Sequence, residues 1–204
     1  MSSITRAIIA ILVLSERLKN ELRHSWLSSG RQESVAEHTW QMAFMALLCA
    51  EHLDHPVDLA KTLKMILIHD LVEAITGDIP VTEISERKNL KAVRERETMD
   101  SISKMIPGEI SKEIFFLWHE FEECTSPEAK FAKALDNLEA QIQHNLADLE
   151  TWEENEFDLV YTKMNRYCTH DKFLDALCRE TISQAEERMK KFGRNPEEIR
   201  SRCR

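Results

Sequence analysis

Residues 65–80 read Met-Ile-Leu-Ile-His-Asp-Leu-Val-Glu-Ala-Ile-Thr-Gly-Asp-Ile-Pro. Four apolar residues lead into an imidazole and a carboxylate, and apolar residues resume directly after them. Gly77 suits a C-terminal helix cap and Pro80 follows shortly behind it. The pattern predicts a buried helix from about Asp58 to Thr76, with His69-Asp70 in its middle. An imidazole and a carboxylate side by side in an apolar helix are costly unless something pairs with them. A bound cation removes that cost by neutralising the carboxylate and using the imidazole lone pair. A hydrogen-bonded core His-Asp pair is the alternative. Glu73 lies four residues from His69 and three from Asp70, so one helical face presents all three. Asp78 follows the Gly77 cap and can fold back over the same end.

Other start and stop signals divide the rest of the 204 residues into helices. Ser34-Val35-Ala36-Glu37 is a capping box, opening an apolar-periodic stretch that continues to Leu53 and is broken by Asp54-His55-Pro56. A charged helix covers about Glu83 to Met105 and stops at Pro107-Gly108. Another spans about Ile110 to Glu123. Ser126-Pro127-Glu128 combines an N-cap, a first-turn proline and an acidic first turn, and launches a helix to about Glu150. Further helices lie near Phe157 to Arg166 and Asp171 to Lys191, and Asn195-Pro196 starts a short terminal turn. No strand-like alternation stands out. With only four Gly and five Pro, the composition favours an all-α fold. The expectation is one helical domain over residues 1–204, with a core metal-binding region of about 20–145 and C-terminal helices over 155–204.

The net charge of −9 argues against a polymeric nucleic-acid partner, which needs a basic face. A nucleotide substrate remains open, because a bound cation inverts the local potential. Five Cys without a CxxC spacing support neither a disulfide framework nor a thiolate zinc site, and point to reduced thiols in the cytoplasm. The apolar run Ala7 to Leu14 is far shorter than the roughly 20 residues a membrane span needs. It continues into Ser15-Glu16-Arg17 without a cleavage site, so a first core helix is expected rather than a signal peptide or a membrane anchor.

The dipeptide His-Asp carries little weight alone, since chance supplies roughly 0.4 such pairs in a chain of this composition. It occurs again at His170-Asp171, where Asp171 makes an ordinary N-cap. His52 and His55 flank a proline-broken helix end, and His24, His119 and His144 have no second ligand at a useful local spacing. Two residues do extend the set. His38 sits in the first turns of the capped helix, in Val35-Ala36-Glu37-His38-Thr39-Trp40. Asp136 is embedded in Phe131-Ala132-Lys133-Ala134-Leu135-Asp136-Asn137-Leu138. Together with His69 and Asp70 they make a two-His, two-carboxylate set drawn from three helices.

That ordered set resembles the signature of the HD-domain metal-dependent phosphohydrolases. Glu-Ser-Val-Ala-Glu-His (33–38), His-Asp-Leu-Val-Glu-Ala-Ile-Thr-Gly-Asp-Ile-Pro (69–80) and Thr-Ser-Pro-Glu-Ala-Lys-Phe-Ala-Lys-Ala-Leu-Asp (125–136) resemble the small 5'-deoxynucleotidases of that superfamily. The resemblance runs from the first helix to about residue 145. It implies an HD-domain helical bundle, a homodimer, and a divalent cation such as cobalt, manganese, magnesium or zinc on His38, His69, Asp70 and Asp136. Glu73 and Asp78 match the family's additional acidic positions, and Arg23 and Trp26 match an Arg and a Trp beside the substrate. Ser25 replaces a common Gly before the Trp, and Asn137-Leu138 replaces Lys-Phe after the last Asp. On this reading Glu73 orients or deprotonates the attacking water or helps hold a second ion. Asp78 is a second-site ligand or a general acid. Arg23 grips phosphate, with Lys133 as a second candidate, and Trp26 walls the sugar pocket. The plain alternatives are a surface cation for Arg23, a core ring for Trp26 and a solvated Lys133. The expected reaction is release of phosphate from deoxyribonucleoside monophosphates. Its rivals are an HD phosphohydrolase acting on triphosphates or cyclic nucleotides, and a catalytically idle helical adaptor.

Overall fold

A computed structural model describes residues 3–106 and 108–203; the expected helix stop at Pro107 lies outside them. The chain is predominantly helical, as its composition predicts. Helix α1 (Ser3–Ser15) passes through a short 3-10 turn (Glu16–Lys19) into strands β1 (Leu22–Trp26) and β2 (Gln32–Ser34). There follow α2 (Val35–Cys49), α3 (Leu59–Ile68), α4 (Glu73–Thr76), α5 (Glu86–Asn89), α6 (Lys91–Met105), α7 (Glu109–Glu123) and α8 (Pro127–Leu146). The chain continues with α9 (Glu154–Thr162), α10 (Asn165–Cys168), α11 (Lys172–Lys191) and α12 (Pro196–Arg202).

The helix caps form where the sequence places them. Ser34 Oγ accepts from the Glu37 amide at 3.3 Å, while the Ser34 amide donates to Glu37 at 2.9 Å, completing the capping box. Asp58, Ser126, Asp171 and Asn195 each accept an amide hydrogen bond at the start of their helices.

Several boundaries differ from expectation. The strands are the largest difference: β1 and β2 form an antiparallel hairpin, pairing Leu22 with Ser34 and Trp26 with Gln32 and changing register between. The helix expected over 58–76 stops at Ile68. The Ile66 carbonyl accepts from the His69 ring at 2.7 Å and the His69 carbonyl from Trp118 Nε1 at 3.0 Å. Those are the acceptors that a continuing helix offers to the Asp70 and Glu73 amides. The chain tightens instead into i→i−3 bonds at Leu71, Glu73 and Ala74, a 3-10 pattern, before α4 closes on Gly77. The charged helix starts later, at Glu86, and breaks at Leu90. The helix from Pro127 ends at Leu146, and the segment near 157–166 divides into α9 and α10.

The main core joins α2, α3, α7, α8 and α11 through Met42, Met45, Ile66, Phe121, Phe131, Leu135, Leu138 and Leu174. Helix α1 packs through Leu14 against Val35, Leu71, Met99 and Trp118. Its other side leaves Ile4, Ile8, Ile9, Leu12 and Val13 exposed, so it is less a core helix than the sequence suggests. No helix among the described residues is long and apolar enough to cross a membrane.

Candidate metal and phosphate centre

Three elements meet beneath one cavity of about 480 Å³, a size that suits a small molecule. The first turn of α2 supplies His38, the tightened turn after α3 supplies His69 and Asp70, and the middle of α8 supplies Asp136. Each imidazole is locked by its far nitrogen. His69 Nδ1–H donates to the Ile66 carbonyl, which can only accept, and this leaves Nε2 as the free lone pair. His38 Nδ1 lies in close contact with the fully buried carboxylate of Glu139.

The facing atoms converge. His69 Nε2 lies 3.0 Å from Asp70 Oδ2, and His38 Nε2 lies 3.4 Å from Asp136 Oδ1 and 3.9 Å from Asp70 Oδ2. Ligand atoms of His38, His69 and Asp136 lie within 4.8 Å of one another. Both Nε2 atoms are buried without a hydrogen-bond partner. Two orphaned imidazole nitrogens against two carboxylates fit a divalent cation, whose charge and lone-pair demand satisfy all four.

The electrostatics follow from this crowding. Burial and the Arg23 charge push the His38 pKa down, but Glu139 and Asp136 outweigh them and raise it to about 10. A cation held through Nε2 would take the place of that proton. Burial opposes ionisation of Asp70 and Asp136, yet the His rings hold both well below the ordinary carboxylate range. Glu73 goes the other way. Burial, then the Asp70 and Asp78 charges, raise it to about 9. Its Oε1 is 3.4 Å from Lys91 Nζ, while its Oε2 is buried without a partner. Asp78 lines the same cavity just beyond Gly77, and its amide donates to Glu21 at 2.9 Å.

Of the expected substrate contacts, Arg23 and Lys133 line the cavity and Trp26 is absent from its lining. Arg23 is already engaged, with Nε 3.4 Å from Glu33 and Nη1 3.7 Å from Asp70. Lys133 donates to Glu122 at 2.9 Å and stands 3.9 Å from the centre of the Phe121 ring. The Trp26 ring packs at right angles to His24, 4.9 Å between centroids, and its carbonyl accepts from Gln143. Strand β1 instead turns Arg23, His24 and Ser25 toward the cavity.

His24 and His144, expected at the surface or in caps, line the cavity on either side of Glu156, at 3.4 and 3.8 Å. Burial, then His24, push His144 down to about 4, so it is neutral there at pH 7. The residues that sequence reasoning passed over are Glu139, Glu33, Lys91 and Lys163. Glu139 had a usable signal, standing one helical turn beyond Asp136. Glu33 sits on a strand the sequence does not announce, and burial raises its pKa to about 7.

Comparisons with known proteins give the family and the fold. The chain matches the HD domain family over residues 15–174. The 5'-deoxynucleotidase HDDC2 of Danio rerio is 37% identical over 147 residues, covering 70% of this chain and 71% of that protein. The 5'-deoxynucleotidase hdd1 of Schizosaccharomyces pombe is 36% identical over 143 residues, covering 67% and 70%. A crystal structure described as a predicted metal-dependent phosphohydrolase, from Magnetospirillum magnetotacticum MS-1, superposes with a TM-score of 0.74 at 29% identity. It covers 92% of this chain and 97% of that one.

Proposed function

This chain belongs to the HD domain family, and from that membership we propose that it is a metal-dependent phosphomonoesterase that removes the 5'-phosphate from deoxyribonucleoside monophosphates. The observation that carries the reading is the pair of buried, unpartnered imidazole Nε2 atoms facing Asp70 and Asp136 on the floor of the cavity. The names of its relatives supply the substrate class.

His38, His69, Asp70 and Asp136 would hold the cation, with cobalt, manganese, magnesium and zinc all compatible with a mixed imidazole-carboxylate set. When bound, it neutralises charge on the phosphoryl oxygens and acidifies a water molecule. The protein does the rest. Glu73 Oε2, pointing at no protein donor, would orient that water, and would take its proton once a cation offsets the Asp70 and Asp78 charges that, after burial, raise the Glu73 pKa, with a share in a second ion as the alternative. Asp78, at the cavity rim, hands a proton to the departing 5'-oxygen or completes the second-ion site. Arg23 keeps a fixed positive charge beside Asp70 and is placed to meet phosphoryl oxygen. Trp26 acts on the sugar only through His24, whose ring it supports.

Residues 1–204 act as one HD domain, a reading supported by the shared core of α2, α8 and α11. The protein functions as a homodimer in the cytoplasm. Exposed Trp40, Phe44, Leu47 and Leu48, a second apolar stripe along α2, support the pairing. Five unbridged cysteines support the reducing compartment. Sedimentation at micromolar concentration checks the dimer, and a monomer throughout would remove it.

The decisive assay measures phosphate release from deoxy- and ribonucleoside monophosphates with metal-stripped protein and with cobalt- or manganese-loaded protein. The expected result is metal-dependent release from the deoxy series. Asp70→Asn should reduce it by about 100-fold or more, since the cation contributes several kcal/mol at the transition state. Undiminished turnover in Asp70→Asn would overturn the metal assignment, and activity confined to triphosphates or cyclic nucleotides would overturn the substrate class.

A further inference from the structure

Five cationic side chains line the cavity: Arg23, Lys88, Lys91, Lys133 and Lys163. Four are committed to the protein itself. Arg23 lies against Glu33 and Asp70, and Lys133 pairs with Glu122 over the Phe121 ring. Lys91 Nζ stands 3.4 Å from both Glu73 and Glu95. Lys88 donates to the Pro80 carbonyl at 3.0 Å and the Ile79 carbonyl at 3.4 Å.

Lys163 differs. It caps the C-terminal end of α9, is partly buried, and has neither a hydrogen-bond acceptor nor a carboxylate in ion-pair contact among the described residues. The acids of its own helix are turned elsewhere: Glu156 to His24 and His144, Glu154 to Arg194 and Arg202, and Asp158 to Arg202. The charged groups that act on it are those around the metal floor. Burial lowers its pKa, Asp136 opposes that shift, and Arg23, Lys133 and Lys91 add to it. A sheltered ammonium without an anion is unfavourable, and an anion arriving beside it recovers the missing interaction.

We infer that Lys163 is a substrate-binding residue that contacts the phosphoryl oxygens of the nucleotide, reaching them from the C-terminal cap of α9, in the lining of the same cavity as His69, Asp70 and Asp136. This rests on the nucleotidase reading and deepens it. A phosphate dianion in this cavity meets in Lys163 a cation with no carboxylate in ion-pair contact among the described residues. Lys163 is thereby a binding group, and it transfers no proton in this assignment.

The test is calorimetric binding of inorganic phosphate to the manganese-loaded wild type, Lys163→Met and Lys163→Arg, with KM and kcat for a deoxynucleoside monophosphate measured alongside. A charge-assisted hydrogen bond is commonly worth about tenfold or more in affinity. Lys163→Met should therefore weaken phosphate binding by about tenfold and raise KM by a similar factor. Lys163→Arg should restore most of both, and all three proteins should melt at the same temperature. Equal phosphate affinity in wild type and Lys163→Met overturns the assignment. So does an equal loss of affinity for the phosphate-free deoxynucleoside, which marks a general distortion of the pocket. Wild-type protein that binds phosphate through Lys163 but releases none from any monophosphate would sink the nucleotidase reading and leave this contact standing.

Discussion

His38 is gripped at both nitrogens by one helix. Asp136 and Glu139 stand a turn apart on α8, the first facing Nε2 and the second against Nδ1. The ring therefore cannot rotate without losing the Glu139 contact, and a neutral imidazole with Nδ1–H donating to Glu139 presents Nε2 to the floor. Partners of this kind usually matter by 10–100-fold in metal affinity. Glu139→Gln can keep a weaker hydrogen bond but loses the charge, so it should bind manganese about tenfold more weakly, read by titration against a competing chelator. Affinity equal to wild type would show that the contact does not position the ring. Residues such as His38 and Asp136 are legible in the sequence because a polar group inside an apolar helix is conspicuous. Glu139 has only its spacing from Asp136 to mark it, because its neighbours Gln141 and Gln143 make that part of α8 look like a solvated face. Those side chains are buried, bonding to Asn145 and to the Trp26 carbonyl. Partner identity across 101 residues of chain has no local pattern to read.

The turn between α3 and α4 is where element geometry makes the site. Successive side chains stand about 100° apart around an α-helical axis and about 120° apart in a 3-10 turn, yet His69 Nε2 lies 3.0 Å from Asp70 Oδ2 where the helix breaks off. Gly77 ends the segment at φ 75° and ψ 157°, a region essentially confined to glycine. A Cβ at that position would also come within 3.2 Å of Glu21 Oε1, the atom that receives the Asp78 amide. Gly77→Ala should cost about 1–3 kcal/mol, lowering the melting temperature by several degrees, and should reduce turnover by displacing Asp78. An unchanged melting curve would refute the strain argument. Gly77 and its cap are readable from sequence. The interruption at His69 is not, because it depends on Trp118 delivering a hydrogen bond from a distant helix. The β hairpin escapes for a different reason. Leu22-Arg23-His24-Ser25-Trp26 and Gln32-Glu33-Ser34 are too short and too polar for a period-two pattern to emerge, yet they carry Arg23, His24 and Glu33.

At the scale of the molecule, an acidic chain of net charge −9 concentrates Arg23, Lys88, Lys91, Lys133 and Lys163 around one cavity. Seven carboxylates share that lining, so an anion is favoured there only where a bound cation offsets them. Helix order was legible where caps and breakers act locally, and not at the divisions after Ile68, at Leu90 and between α9 and α10. How the helices assemble was legible only through the resemblance of the signature residues. The distribution of ligands has one further consequence. Because α2, the turn after α3 and α8 contribute to a single set of coordinating atoms, an ion seated there ties together segments that the unfolded chain holds apart. Folding and metal occupancy are then thermodynamically linked, and free ion at about 100 times its Kd adds about 2.7 kcal/mol to stability. For a chain of this length that amounts to roughly 5–10 °C. A melting curve recorded against ion concentration becomes a binding isotherm that needs no substrate, and a chelator should slide it downward by the same interval. Coincident curves with manganese and with chelator would mean the three segments share no ion.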